Sequence, residues 1–204
     1  MKRLVVGLSG ASGVIYGIRL LEVLRGVESV ETHLVLSNAA RQTVLLETDY
    51  TVDQVESLAN AYYRFNDIAA NISSGSYKTM GMVVIPCSMK TLSGIALSFS
   101  DNLLLRAADV ILKDQRRLVL VPRETPLHLG HLRLMIQVVE MGAILVPPMP
   151  AFYHRPQTLD DIINQTVNRV LDLLDIELPT DLFERWAGPR YASRPSQRRE
   201  DSKG

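Results

Sequence analysis

Short apolar runs alternate with longer segments of helical periodicity along most of the chain. The runs are rich in β-branched residues and end at glycine, proline or serine, which is typical of buried strands. They occupy residues 4–6, 33–36, 82–85, 118–121 and 143–146. The segments between them place apolar residues every three or four positions, which predicts helices at 14–24, 39–46, 53–61, 88–97, 102–113, 127–141 and 158–174. This alternation predicts one α/β domain with a three-layer, doubly wound parallel sheet.

The last quarter of the chain contains an irregular stretch, a capped helix and a polar tail. Residues 147–156 are rich in proline, which lacks the backbone donor that regular structure needs. Thr158 and Asp161 have the spacing of a capping box, which predicts that the last helix begins there. From Gly188 onward the chain is polar, basic and contains proline. We therefore expect a folded domain over residues 1–186 and a disordered tail over residues 187–204.

Composition narrows the class of protein. The chain has 204 residues, a formal net charge of zero and 47% hydrophobic residues, which is typical of one globular domain. A neutral chain does not favour nucleic acid or an anionic membrane as a partner. No apolar run reaches the ~20 residues that span a bilayer. A single cysteine excludes an internal disulfide, and we expect a cytoplasmic enzyme.

A glycine-rich turn follows the first predicted strand and leads directly into a helix. A strand, a glycine turn and a helix together point free backbone N–H groups and a positive helix end at one place, which favours an anion such as phosphate. The glycines have G-x-x-G-x-x-G spacing rather than the G-x-G-x-x-G of dinucleotide folds. The second strand is followed by Ser37 and Asn38, where a nicotinamide site would usually carry an acidic residue. The alternative is a turn that only lets the helix pack close to the strand.

Small polar residues follow three of the predicted strands. Gly10-Ala11-Ser12 follows the first, Ser37 the second, and Ser88-Met89-Lys90-Thr91 the third. In a doubly wound sheet these turns meet at the carboxyl edge, where ligands bind. The convergence favours a phosphate-bearing ligand, and the alternative is ordinary helix capping by serine and threonine.

Several charged residues are candidates for chemistry. Arg123 and Glu124 follow the strand at 118–121, in a loop stiffened by prolines, and could bind an anion and move a proton. Arg106 and Lys113 lie seven residues apart and therefore on one face of a helix, and Arg169 lies near the edge of an apolar stripe. From the residues alone, a solvated helix face is the favoured explanation of these basic residues.

Three other features point away from metal and thiol chemistry. His128 and His131 have i, i+3 spacing but no evident third ligand, so no metal site is predicted. Asp160 and Asp161 occupy the first turn of a capped helix, where acidic residues complement the helix dipole. Cys87 is interpreted as a small buried residue, since no activating partner can be named for it.

Taken together, the first 186 residues resemble the flavin prenyltransferase family of the UbiX type. The segments that carry this resemblance are Gly10–Gly13, Ser73–Ser76, Pro86–Leu92, Asp101–Leu103, Arg106–Val110, Leu120–Leu127 and Pro147–Tyr153. The Ser88-Met89-Lys90-Thr91 form is most similar to the bacterial branch also known as a component of phenolic or hydroxyarylic acid decarboxylases.

The resemblance implies a flavodoxin-like (Rossmann-like) fold that binds reduced FMN and uses no metal. Such enzymes move a dimethylallyl group from dimethylallyl phosphate to N5 of the flavin and close a further ring at C6. The prenylated FMN passes to a partner, a UbiD-type decarboxylase. The resemblance also implies a homododecamer with active sites between subunits, in which Glu47 reaches across from a neighbour.

The resemblance also assigns roles to individual residues. The residues expected to hold FMN are Gly10, Ala11, Ser12, Ser37, Ser88, Met89, Lys90, Thr91 and Arg123. Tyr153 and Arg169 would hold dimethylallyl phosphate, with Arg106 and Lys113 near its phosphate. Glu124 and Glu47 would handle protons, and Ser12 and Lys113 complete the expected catalytic set.

Elementary chemistry agrees with these roles. Breaking an allylic C–O bond releases a phosphate, which cationic side chains can stabilise, and leaves a cation that a π-rich wall such as Tyr153 can stabilise. Ring closure then releases a proton, which requires a base.

Three alternatives compete with this interpretation. One is a non-catalytic FMN-binding subunit of an aromatic-acid decarboxylase. Another is an FMN-dependent decarboxylase of the cysteine-decarboxylase group, although the loop at residues 148–153 differs from the P-x-M-N-x-x-M-W pattern of that group. The last is an enzyme that decarboxylates aromatic acids by itself.

Overall fold

The protein, a computed structural model that describes residues 1–188, contains one six-stranded sheet in which every observed pairing is parallel. The strands are β1 Lys2–Leu8, β2 Val30–Leu36, β3 Ala61–Tyr63, β4 Gly81–Cys87, β5 Arg117–Pro122 and β6 Ile144–Leu145. Their spatial order is β3-β2-β1-β4-β5-β6. The direction of winding reverses between β1 and β4, which is the position where doubly wound folds bind ligands.

Seven α-helices cover the two faces of the sheet within residues 1–188. They are α1 Val14–Leu24, α2 Asn38–Glu47, α3 Val52–Glu56, α4 Met89–Ala96, α5 Leu103–Lys113, α6 Leu129–Glu140 and α7 Leu159–Leu173. Side chains of α1, α2, α3 and α7 pack against one face, and those of α4, α5 and α6 pack against the other. The predicted three-layer, doubly wound architecture is therefore confirmed. None of these helices has the length and apolarity that crossing a membrane requires.

Two hydrophobic cores follow from the alternation of side chains along the central strands. Val83 and Val119 face the layer of α1 and α7, whereas Met82 and Leu118 face the layer of α5. Both faces of β4 and β5 are therefore buried, which explains their continuous apolar runs.

The segment predicted as a helix at residues 53–61 instead forms a short helix followed by an edge strand. Thr51 is the N-cap of α3, two residues before the predicted start of the helix, and it forms a capping box with Gln54. The strand β3 then pairs with β2, with His33 opposite Ala61. A three-residue strand is too short to show an alternation of apolar and polar side chains in the sequence. Its conformation depends on pairing with β2.

The third predicted strand does not stop at Pro86, because β4 continues through it to Cys87. The register between β4 and β5 shifts between Val84 and Cys87. Because the ladder is irregular there, a residue without a backbone donor is accommodated.

The predicted capping box at the start of α7 is confirmed. The amide of Asp161 donates to Thr158 Oγ1 at 3.2 Å, and the amide of Thr158 donates to Asp161 Oδ2 at 2.9 Å. The predicted disordered tail falls outside the described residues, except for its first two positions.

Candidate active site

The turns after β1, β2 and β4 are tied together by hydrogen bonds. The hydroxyl of Ser9, which is 1% exposed, donates to the carbonyl of Pro86 at 3.0 Å and accepts from the amide of Ser88 at 2.7 Å. The amide of Ser37 donates to the carbonyl of Leu8 at 2.9 Å. The expected convergence of three polar turns at one edge of the sheet is therefore present.

These turns line a cavity of about 710 Å³ at the carboxyl edge. Its volume falls in the range typical of small-molecule and cofactor sites. The structure brings seven of the predicted site residues into its wall, namely Gly10, Ser37, Ser88, Met89, Lys90, Thr91 and Glu124.

Two glycines make this close arrangement possible. A Cβ added at Gly10 would lie 2.2 Å from the Cβ of Ala39, so only glycine allows the first turn to approach α2 this closely. Gly13 has φ of 95°, a left-handed conformation that other residues rarely adopt, just before α1 begins.

Ser37 and Ser88 both cap helices that begin at the cavity. Ser37 Oγ accepts from the amide of Ala40 at 3.0 Å, and Ser88 Oγ accepts from the amide of Thr91 at 3.2 Å. The helix-capping alternative for these serines is therefore confirmed. The capping also directs the positive ends of α2 and α4 toward the cavity, which suits an anionic group.

Ala11, Ser12 and Arg123 lie beside the cavity rather than in its lining. Arg123 Nε donates to the carbonyl of Ser12 at 3.4 Å, and the amide of Arg123 donates to the carbonyl of Cys87 at 3.3 Å. Arg123 therefore joins the loop after β5 to the glycine turn.

Sequence reasoning missed part of the cavity wall. The additional lining residues are Asn38, Ala39, Phe65, Ser93, Gly94, Leu97, Phe99, Asp101, Asn102 and Leu105. Asp101 and Asn102 belong to a segment that carried the family resemblance, and that segment was the available signal for them. Isolated aromatic residues such as Phe65 and Phe99 carry no comparable signal.

The two candidate acids occupy different places. Glu124 lines the cavity, and its Oε1 accepts from the amide of Thr125 at 3.0 Å. The carboxylate of Glu47 accepts from the amides of Gly13 at 2.8 Å and Val14 at 3.4 Å. Glu47 therefore holds the N-terminus of α1 in its own chain.

Tyr153 lies in the wall of a second cavity, of about 410 Å³. Its ring makes edge contacts with Phe183 at 6.5 Å and Trp186 at 6.1 Å between centroids. Arg169, on α7, forms an ion pair with Asp172 at 3.0 Å.

Arg106 and Lys113 were expected near the donor phosphate, together with Tyr153 and Arg169. Within one chain they lie on α5, which packs on the opposite face of the sheet from α7. Arg106 Nε donates to the carbonyl of Ser73 at 3.1 Å, and Lys113 pairs with Asp114 at 3.0 Å. Lys113 ends α5 shortly before β5 begins, whereas Glu124 follows the carboxyl end of β5. Since α5 runs antiparallel to a strand about 20 Å long, one chain cannot bring Lys113 to Glu124.

The remaining titratable candidates have structural roles. Cys87 is fully buried, and burial raises the pKa of its thiol well above the ordinary value, which disfavours the thiolate. His128 caps α6 by accepting from the amide of Gly130 at 3.0 Å, and its ring centroid lies 3.6 Å from that of His131. Within residues 1–188, no three histidine, cysteine or acidic side chains are grouped so that they could hold a metal ion.

Comparison with known proteins places this fold and site in a class. The model of the Flavoprotein family matches residues 1–171, so the chain is a flavoprotein by fold and family. It is 68% identical over 188 residues to the flavin prenyltransferase UbiX of Salmonella typhimurium, covering 92% of this chain and 100% of the relative. The chain belongs to the UbiX flavin prenyltransferase family.

Two solved structures extend the comparison. AnUbiX (PadA1), in complex with FMN and dimethylallyl pyrophosphate, superimposes with a TM-score of 0.89 and 50% identity, covering 92% of this chain and 98% of that one. A dodecameric FMN-dependent UbiX-like decarboxylase from Escherichia coli O157:H7 has a TM-score of 0.88 and 52% identity, covering 91% and 100% of the two chains.

Proposed function

We propose that this chain transfers the dimethylallyl group of an isoprenoid phosphate to reduced FMN held at the carboxyl edge of its sheet. The observation that carries the proposal is the cavity of about 710 Å³ built from the turns of Gly10, Ser37 and Ser88, in a chain of the flavin prenyltransferase family. The relative AnUbiX, which is 50% identical, holds FMN and a dimethylallyl donor together.

The residues present fit FMN. Lys90, the capped N-termini of α2 and α4 and the hydroxyl of Thr91 offer cationic and hydrogen-bonding groups for the phosphate and ribityl chain. Phe65, Leu97 and Phe99 add apolar surface for a flat ring. Ala11, Ser12 and Arg123 would complete the binding turns from beside the cavity. When bound and reduced, FMN supplies the nucleophilic N5 and C6 atoms.

The donor would lie between the flavin and Tyr153. Arg169, together with Arg106 and Lys113 of another subunit, would neutralise the leaving phosphate. The ring of Tyr153 would stabilise the positive charge that develops on the dimethylallyl group. The family resemblance favours dimethylallyl phosphate, whereas AnUbiX is described with the pyrophosphate, and both compounds carry the same group to be transferred.

Glu124 is the proposed base for the proton that ring closure releases, because it lines the flavin cavity. Glu47 also remains a proposal for proton handling. Its hydrogen bonds to Gly13 and Val14 place it beside the glycine turn, and Ser12 of that turn is proposed to assist catalysis.

The proposed assembly is a homododecamer with shared active sites. An apolar stripe on α6 is left exposed in the single chain and suits burial against another copy. It comprises Leu129, Leu132, Ile136 and Val139, with exposed fractions of 60%, 44%, 58% and 51%. The dodecameric relative from Escherichia coli O157:H7 supports such an assembly. The proposed role of Lys113 at the donor phosphate would need at least one neighbouring subunit.

The proposed recipient of the product is a UbiD-type decarboxylase. Prenylated FMN is a modified cofactor, so an enzyme that uses it needs another protein to make it, and this chain is proposed as that supplier. The proposal predicts that a UbiD-type apoenzyme gains decarboxylase activity when it is incubated with this protein, reduced FMN and the donor.

The transfer proposal is tested by the mass of the flavin after reaction. The purified protein is incubated anaerobically with reduced FMN and either dimethylallyl phosphate or dimethylallyl pyrophosphate, and the mass of the extracted flavin is measured by mass spectrometry. A flavin heavier by one dimethylallyl unit with either donor supports the proposal. Unchanged FMN with both donors would favour a non-catalytic FMN-binding subunit, and loss of carboxylate from an added aromatic acid without donor would favour a decarboxylase.

A further inference from the structure

One face of α7 connects the two residues proposed to hold the donor. Gln165, Arg169 and Asp172 follow each other at intervals of four and three positions, which places them on the same side of the helix. Gln165 Nε2 donates to the hydroxyl of Tyr153 at 3.5 Å. Arg169 Nη1 donates to Asp172 Oδ2 at 3.0 Å. The last residue of this row, Asp172, therefore contacts the proposed phosphate-binding arginine directly.

The carboxylate of Asp172 receives a second arginine from the segment that follows α7. Arg185 Nη1 donates to Oδ2 at 2.9 Å and Arg185 Nη2 donates to Oδ1 at 2.8 Å, which is a bidentate pairing. Oδ2 is thus shared by Arg169 and Arg185. The two guanidinium groups, Arg185 more than Arg169, hold the pKa of Asp172 below its usual range, so the carboxylate stays ionised at neutral pH.

This pairing fixes the segment after α7 against the helix. Arg185 also pairs with Asp181 at 2.6 Å, and the amide of Leu182 donates to Asn168 Oδ1 at 2.8 Å. Asn168 is only 1% exposed, so this contact is part of the packed structure. The same segment carries Trp186, whose ring lies 6.1 Å from that of Tyr153.

We propose that Asp172 is a positioning residue of the donor site. Its carboxylate orients Arg169 toward the donor phosphate and, through Arg185, anchors the segment that places Trp186 beside Tyr153. This inference rests on the proposed function, because it takes Arg169 and Tyr153 as donor ligands. An arginine whose orientation is fixed in advance loses less side-chain freedom when the phosphate binds, so the effect falls on donor affinity.

The first test is the substitution Asp172→Asn, which keeps the shape of the side chain and removes its charge. The expected result is a KM for the donor that rises about tenfold, as loss of a hydrogen bond to a charged group predicts, while the Kd for FMN stays unchanged. Asp160→Asn is the matched control, because Asp160 is an exposed residue in the first turn of the same helix. An unchanged donor KM in Asp172→Asn overturns the proposal.

A double-mutant cycle separates positioning from a general structural effect. If Asp172 acts through Arg169, then Asp172→Asn raises the donor KM in the wild-type background but adds no further increase when Arg169→Ala is already present. An equal increase in both backgrounds contradicts the proposal.

Arg185→Lys, which keeps the charge but loses the bidentate geometry, serves as a second variant if Asp172→Asn folds poorly. It is expected to raise the donor KM less than Asp172→Asn, and a KM equal to that of wild type counts against the anchoring step.

Trp186 supplies a readout that needs neither donor nor turnover, because it is the one tryptophan among the 204 residues. Asp172→Asn and Arg185→Ala are expected to lower the anisotropy of its fluorescence, because the segment that carries it is no longer anchored to α7, and Asp160→Asn is not. Unchanged anisotropy in both variants overturns the anchoring step. If the wild-type protein forms no prenylated FMN, the proposed function fails; if it does and the donor KM of Asp172→Asn is normal, only this inference fails.

Discussion

The hydroxyl of Ser9 lies 2.7 Å from the amide nitrogen of Ser88, and this hydrogen bond joins the ends of β1 and β4. The two strands flank the position where the winding of the sheet reverses. The same hydroxyl donates to the carbonyl of Pro86 at 3.0 Å. Ser9 therefore sets the spacing of the two turns between which FMN is proposed to bind.

We expect Ser9→Ala to weaken both the fold and FMN binding. The substitution leaves the amide of Ser88 without its partner, at a cost of about 1–3 kcal/mol. For a chain of this size that corresponds to a fall in Tm of roughly 2–4 °C per kcal/mol, which calorimetry can measure. Ser57→Ala is the control, because Ser57 is exposed and its hydroxyl donates to the carbonyl of the nearby Gln54. Equal Tm and equal FMN affinity in the two variants would show that Ser9 does not organise the site.

Glu124→Gln should retain FMN but lose turnover. The glutamine keeps the size of the side chain and cannot accept a proton at neutral pH, so the rate should fall by roughly 10²–10⁴-fold. Flavin absorbance after gel filtration measures the binding, and formation of prenylated FMN measures the rate. Glu28→Gln, at an exposed position between α1 and β2, is expected to behave as wild type. Full activity in Glu124→Gln would remove this residue from the mechanism.

Mixed oligomers should recover activity that neither parent has. Lys113→Ala and Glu124→Gln proteins are each expected to be inactive, since every site lacks one group. If a site takes Lys113 from one subunit and Glu124 from another, random co-assembly at equal amounts restores about a quarter of the sites. The measurement is the specific activity after co-expression. Mixed assemblies as inactive as their parents would place both residues in a site of one subunit.

Stability should fall when the pH drops below the ordinary pKa of histidine. His33 is 1% exposed, and burial lowers its pKa below 6.5 in spite of the nearby Glu31. The unfolded chain then binds more protons than the folded one, so stability is lost as the pH falls through 6.5. The difference in Tm between about pH 7.5 and about pH 5.5 should be smaller in His33→Gln, whose amide stays neutral. An identical difference in the two proteins would exclude His33 as its source.

The sequence allowed most of the architecture to be predicted because its central strands are buried on both faces. The runs at Val5-Val6 and Val83-Val84 have the continuous apolar pattern of buried strands. Because parallel strands end at the same edge of a sheet, the turns that follow them were expected to lie close together. The strand β3 was missed because three residues at the edge of a sheet depend on β2 for their conformation.

The candidate site was only partly predictable, for two physical reasons. The role of Ser9 depends on contact with Pro86 and Ser88, which are distant in sequence and adjacent only after folding. The position of Lys113 depends on the direction in which α5 runs relative to β5, and periodicity along the chain does not contain that direction. The assignments taken from the family resemblance therefore stay predictions for each residue until variants are measured.

The most direct test counts two products in the same anaerobic sample. Reduced FMN and dimethylallyl phosphate are mixed with the protein, and prenylated FMN and free phosphate are both quantified over time. Transfer predicts that the wild-type protein forms the two products in equal amounts, and that Glu124→Gln, which removes the base for ring closure, lowers the yield of prenylated FMN. Phosphate released without prenylated FMN, or no release of phosphate at all, would contradict the conclusion that this chain joins a dimethylallyl group to the flavin.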